Sequence, residues 1–193
     1  MKPLHALFLA VLLLPCCTIL APIADDPVRH LLESTLPDRT PTAAKPAIAI
    51  ARPSLPLYLD RAELITRLPD GRVTLHESHL WSEPLDSAIS RVLADNLRRL
   101  TGSTNIQPAA NFIARDYTAL VEVRIERFDP APDGSLLFQC TWKLQPVGGG
   151  DTSPKAFRTS VAIGPASPDP FSARVKAMNE ALARLTRTLN GAM

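Results

Sequence analysis

The sequence predicts a single α/β domain: a mixed, mostly antiparallel sheet with two long amphipathic helices packed on it. Three observations carry that expectation. Two stretches repeat apolar residues at helical spacing, one ending near Leu100 and one near Leu189. Between them, two runs of alternating residues flank Pro132-Asp133-Gly134, the pattern of a long hairpin. Helical and strand patterns also alternate along the chain, as they do where helices cover a sheet.

The elements follow in order. Residues 18–46 are rich in Pro, Ala, Asp and Thr, a composition suited to an extended tether. Within it, residues 28–36 can pair as a short strand, and no further order is expected there. Ala47-Ile48-Ala49-Ile50-Ala51 suits a buried strand, broken by Pro53 and Pro56. Strand-like runs at 62–68 and 72–77 surround the turn signal Pro69-Asp70-Gly71.

The period then changes. Ser82 can cap a helix whose first turn holds Pro84, where a missing N–H costs nothing. Leu85, Ile89, Val92, Leu93, Asn96, Leu97 and Leu100 form its buried stripe. Arg98 and Arg99 suit the negative end of the helix dipole, and Gly102 can stop it.

In the hairpin, Tyr117, Ala119, Val121, Val123 and Ile125 share one face. Leu136, Phe138, Cys140, Trp142 and Leu144 share the matching face of the next strand. Gly148-Gly149-Gly150 leads to a third strand with Phe157, Thr159, Val161 and Ile163 on one side. Asp169-Pro170 caps and opens the last helix, whose stripe is Phe171, Val175, Met178, Leu182, Leu185 and Leu189. Gly191 ends it.

The first residues carry an address. A short positive start, an apolar run over 4–14 and then Pro15-Cys16-Cys17 have the layout of a secretory signal. The run is too short to span a bilayer, which takes about 20 residues. Leu14 lies three residues before Cys17, which resembles the lipobox of bacterial lipoproteins, where the cysteine is lipidated and becomes the new N-terminus. Cys17 is favoured as acceptor because Cys16 would put Pro15 directly before the cut, and Pro15 has a fixed φ and no N–H. Cys16 remains the alternative. The organisation expected is therefore a lipoprotein signal over 1–16, a tether over 17–46 and one folded domain over 47–193.

Composition narrows the function. The chain has 193 residues and a formal net charge of +2, with basic and acidic residues interleaved, so nucleic acid is not an expected partner. Cys140 is the one cysteine in the expected domain, so no disulfide forms within it. No Gly-rich phosphate loop and no Gly-x-Ser-x-Gly element occur. Cys140 falls on an apolar strand face, where a cysteine is an inert small hydrophobe. His76 and His79 lie three apart near Glu77 and Glu83, in strand leading into loop, and zinc needs three or four convergent ligands. They read as surface histidines. The expectation is no catalytic residue, no metal and no cofactor.

Two stretches together resemble a known family. Leu57-Tyr58-Leu59-Asp60-Arg61 precedes a strand ending in Thr66-Arg67. Leu80-Trp81-Ser82-Glu83-Pro84-Leu85 then runs into the helix carrying Arg91-Val92-Leu93-Ala94-Asp95-Asn96-Leu97. With Val123-Arg124-Ile125-Glu126-Arg127-Phe128-Asp129 and Trp142-Lys143-Leu144, they are similar to the PqiC-like ABC-type transport auxiliary lipoproteins of Gram-negative bacteria. The likeness covers about 48–190. It implies a non-enzymatic lipoprotein on the periplasmic face of the outer membrane, anchored through its N-terminal lipid. It also implies partners among MCE-domain proteins and ABC transporter subunits that move lipids or other apolar molecules between the membranes. In the best-known system the lipoprotein forms a ring over a tube of MCE rings, so a homo-oligomer is a further expectation. Thr18 after Cys17, in place of Asp, fits outer-membrane sorting.

Tyr58, Asp60, Arg61, Trp81 and Glu83 carry two readings. In one, Asp60 and Arg61 tie a loop, Trp81 packs over the sheet and Pro84 starts the helix. In the other they form a partner surface, since Trp, Tyr and Arg are favoured interface anchors. A second function class also stands: a lipid-anchored module that binds an apolar ligand in a cavity of its own fold.

Overall fold

The computed structural model describes residues 26–40, 47–112, 116–150, 152–165 and 169–193. The signal segment, including Cys16 and Cys17, lies outside the described residues. Among the described residues, eight strands and two long helices follow in order: β1 (Val28–His30), β2 (Ile48–Ile50), β3 (Glu63–Arg67), β4 (Val73–Trp81), α1 (Leu85–Thr101), β5 (Ile106–Pro108), β6 (Ala119–Pro130), β7 (Ser135–Pro146), β8 (Lys155–Ala162) and α2 (Pro170–Asn190). The α/β class expected from the sequence holds, with the strands divided between two sheets.

The larger sheet has the order β5-β2-β6-β7-β8. β2 runs parallel to both its neighbours, and β6, β7 and β8 are antiparallel. Val121, Val123 and Ile125 face the core, as do Leu136, Phe138, Cys140 and Trp142 opposite them. A bulge between Ile125 and Arg127 inserts one residue into β6. Beyond it the inward position passes to Phe128, which is fully buried against Phe138.

The smaller sheet has the order β1-β4-β3. β3 and β4 form the expected hairpin, with Gly71 at φ 88° in the turn, a left-handed conformation that glycine adopts without strain. β1 pairs parallel with the end of β4, Val28 opposite His79 and His30 opposite Trp81.

Both helices lay their apolar stripes into one core. Ile89, Val92, Leu93 and Leu97 of α1, and Met178, Ala181, Leu182 and Leu185 of α2, are almost completely shielded from water. Burying each of these side chains except Ala181 stabilises by about 1.5–3 kcal/mol. Asp169 caps α2 as expected, accepting from Phe171 N and Ser172 N at 3.1 and 2.9 Å. Gly102 ends α1 at φ 71°. No helix among the described residues is long and apolar enough to cross a membrane.

Two expectations need correction. Ser82 does not cap α1. Pro84 takes the N-cap position with no side-chain bond. Ser82 closes β4 instead, where its N–H donates to the His30 carbonyl at 2.8 Å.

The second concerns the stretch expected to be tether. Residues 28–40 belong to the folded body, and Leu32 and Leu36 are buried in it. Side chains of the two helices satisfy this irregular backbone. Arg91 Nη2 donates to the Leu32 carbonyl at 2.8 Å and Arg99 Nη1 to the Leu36 carbonyl at 3.0 Å. Asn179 Oδ1 accepts from Glu33 N, and Asn96 Oδ1 accepts from Ser34 Oγ. Composition does not reveal such a segment, because its partners are supplied from far along the chain.

Candidate functional site

The link between β2 and β3 ends in a tight turn. Pro56 O accepts from Leu59 N and Asp60 N at 2.9 and 3.3 Å, and Leu59 is pinned in the core. The chain then meets the end of β4, where Trp81 N donates to Ala62 O at 2.7 Å. Asp60, Arg61 and Ala62 thereby face Trp81, Ser82, Glu83, Pro84 and Leu85 across a cleft of about 360 Å³.

The structure thus gathers four of the five residues expected to form a partner surface. Asp60 and Arg61 stand exposed at its rim and make no ion pair among the described residues. Glu83 is held by Arg91, whose Nε donates to Glu83 Oε1 at 3.0 Å and whose Nη2 also donates there. Trp81 is only 7% exposed, so it is a wall of the cleft and not a protruding anchor.

Tyr58 points elsewhere. Its hydroxyl donates to Asp129 Oδ2 at 2.8 Å. Asp129 is fully buried and also accepts from Arg127 Nε at 3.0 Å. Burial and the hydrogen bond to Asp129 push the Tyr58 phenol up to about 12. Tyr58 is a tie between the turn and β6. Sequence reading missed Asp129 as its partner, since the two lie far apart in the chain.

A second constellation has no counterpart in the sequence reading. His30, on β1, meets His79, on β4, with His30 Nε2 and His79 Nδ1 3.0 Å apart. Asp169, the cap of α2, completes the group: one ligand atom from each residue lies within 4.8 Å of the others. Phe171 stacks on the His79 ring at a centroid distance of 3.7 Å and meets His76 edge-on at 4.7 Å. His76 bonds Thr66 Oγ1 at 2.9 Å.

Arg174 is buried beside the cluster, its Nη2 donating to the Ile65 carbonyl, and desolvation pulls its guanidinium down to about 10. Desolvation, the neighbouring His79 and Arg174 hold His30 below its ordinary value. Burial, with Arg174 and His79, does the same to His76. Burial works against the Asp169 carboxylate, but the hydrogen bonds from Phe171 and Ser172 outweigh it and hold that group low.

The reading of His76 and His79 as surface histidines therefore needs correction. Both are half-buried, and the imidazole that meets His79 is His30, not His76. Glu77 and Glu83 are not part of the group. No sequence signal could have found it, because its three members lie in three separate elements and His30 falls in the stretch expected to be tether.

Cys140 is buried and its thiol is pushed up to about 12 by desolvation, which suppresses nucleophilic thiolate. A broader hollow of about 390 Å³ lies over β6 and β7 beside Arg52, Arg124, Trp142 and Lys143.

A family model described as "ABC-type transport auxiliary lipoprotein component" matches residues 30–190. The chain belongs to that family. This auxiliary-lipoprotein match begins at the strand that pairs with β4, in keeping with a folded body that starts ahead of residue 47. Membership makes the chain a lipoprotein component auxiliary to ABC-type transport.

Solved structures agree on the fold. A crystal structure of an uncharacterized protein superposes with a TM-score of 0.68 at 18% identity, covering 87% of this chain and 99% of that one. A protein from Xanthomonas campestris superposes with a TM-score of 0.62 at 16% identity, covering 84% of this chain and 92% of that one. No curated protein sequence matches the chain.

Proposed function

We propose that this protein is a non-enzymatic subunit of an MCE-type ABC transport system that moves lipids or other apolar molecules between the inner and outer membranes. Acyl chains on Cys17, with Cys16 as the alternative acceptor, hold it at the periplasmic face of the outer membrane. The observation that carries this reading is the family match across the whole folded body, 30–190.

The fold adds a constraint on reach. Residues 18–27, ten in number, separate Cys17 from the first residue of β1. Fully extended, that length spans at most about 35 Å. A domain so tethered stays beside its membrane, and a transport assembly must come to it there. The cleft between Asp60 and Glu83 supports a docking role, since it presents two charged side chains, Asp60 and Arg61, that make no ion pair among the described residues. Charges of this kind on a rim steer and select a partner.

The test uses the full-length lipoprotein expressed at native level with a C-terminal tag. Detergent-solubilised membranes should yield an MCE-domain protein with the wild type, and markedly less with an Asp60→Lys, Arg61→Glu double variant. Absence of any MCE-domain or ABC transporter subunit from the wild-type eluate would overturn the proposal. Intact mass of Cys17→Ser and Cys16→Ser proteins, with fractionation of the two membranes, decides the acceptor and the location.

A further inference from the structure

We propose that His30, His79 and Asp169 form a binding site for one divalent transition-metal cation of the zinc type, joining β1, β4 and the start of α2. This does not rest on the transport partner and goes beyond it.

The geometry is that of a site drawn slightly tight around a shared proton. His30 Nε2 and His79 Nδ1 lie 3.0 Å apart, so one carries hydrogen and the other accepts it. Zinc binds imidazole nitrogen at about 2.0–2.1 Å with tetrahedral angles, which sets two ligating nitrogens about 3.3–3.4 Å apart. A cation takes the place of that proton once the nitrogens separate by a few tenths of an ångström and the rings turn so that both lone pairs point at it. The third ligand is in reach, because an Asp169 oxygen lies within 4.8 Å of a ring nitrogen of each histidine. Two imidazoles and a carboxylate suit zinc, with a fourth position left for water.

Outer contacts hold Asp169 and His79 in place, as ligands require. Phe171 N donates to Asp169 Oδ1, and Ser172 N and Oγ both donate to Oδ2 at 2.9 Å. Oδ2 thus accepts twice, while Oδ1 accepts once and keeps a further lone pair for a metal. Phe171 stacks on the His79 ring at an interplanar angle of 22° and fixes its plane. His30 is 7% exposed, while His79 and Asp169 are half-buried, so one side of the group is open for entry. Arg174 places a positive charge beside the pair and opposes a cation, and the Asp169 carboxylate offsets it. That balance favours a metal gaining covalent character from nitrogen over a hard cation bound by charge alone.

The site has a mechanical meaning. β1 is three residues long and is the first strand among the described residues. A metal bridging His30 to His79 and Asp169 would clamp that strand to the body, where pull from the anchor arrives.

The experiment uses full-length protein in detergent, stripped with chelator and dialysed. Zinc chloride is titrated by calorimetry, and cobalt chloride by visible absorption. The wild type should bind one zinc per chain, show cobalt bands of tetrahedral nitrogen–oxygen coordination, and melt at higher temperature with zinc. Removing one ligand should weaken binding at least about tenfold. His79→Gln tests an imidazole. Asp169→Asn tests the carboxylate while keeping a good helix cap, so its fold is preserved. His76→Gln should bind as the wild type does. The proposal is overturned if the wild type binds no zinc, if Asp169→Asn and His79→Gln bind as tightly as the wild type, or if His76→Gln loses as much as they do.

Discussion

Arg91 holds Leu32: its Nη2 donates to the Leu32 carbonyl oxygen at 2.8 Å while the same guanidinium grips Glu83 Oε1. One helix residue thus joins the entry segment to the wall of the candidate docking cleft. Arg91→Met keeps the aliphatic stem and removes both ties. Hydrogen bonds to charged groups are worth about 1.5–3 kcal/mol, but the pair is partly solvated, so a loss of about 1–2 kcal/mol is expected. Urea unfolding measures it, and protease cutting within residues 31–40 should quicken.

Leu32 itself separates a packed segment from a tether. It is fully buried in the core. Leu32→Ala should lower stability by about 2–5 kcal/mol in a denaturant titration. A change near zero would falsify the assignment of residues 28–40 to the folded body.

The tie between Tyr58 and Asp129 makes stability depend on alkaline pH. The phenol stands at about 12 in the folded protein, above its ordinary value of 10.0. Between those values the unfolded chain releases the proton and the folded one keeps it, so stability falls as pH rises through that window. Below pH 10 the contribution is complete. Tyr58→Phe should flatten that part of the stability profile. It should also lower stability at neutral pH by about 1–3 kcal/mol, because buried Asp129 loses a donor.

Cys140 offers a check on the core. Its thiol is buried and pushed up to about 12. Iodoacetamide at neutral pH should leave Cys140 unmodified in the native protein and alkylate it in denaturant, read by peptide mass. Rapid native labelling would mean that β7 opens or that its inward face is misassigned.

The elements that sequence reading located share a cause. Asp169-Pro170 opens α2, Gly102 stops α1, and Pro69-Asp70-Gly71 turns between β3 and β4, because each depends on a few adjacent residues. The inward set Leu136, Phe138, Cys140 and Trp142 was legible for the same reason, since strand alternation is local. β5 escaped, being three residues with no period to detect. The bulge after Ile125 escaped too, because it is defined only against β7.

The candidate sites divide along the same line. Asp60, Arg61, Trp81 and Glu83 were singled out as a set and do meet around one cleft, because the turn at Pro56 and the end of β4 are tied backbone to backbone. Tyr58 belongs to the same expected set as an interface anchor, and its hydroxyl turns away to Asp129.

Sequence alone determined the class of the domain, its two amphipathic helices, its hairpins and its likeness to auxiliary lipoproteins. These follow from periodicity and short motifs, which act over a few residues. Tertiary structure decided where the body begins, how the strands divide between two sheets, and that His30, His79 and Asp169 converge. Those outcomes depend on groups brought together from distant positions: the Leu32 carbonyl accepts from Arg91, and the His30 ring meets His79 only after β1 pairs with β4. No local pattern encodes such pairings, because each forms only when the intervening chain has folded.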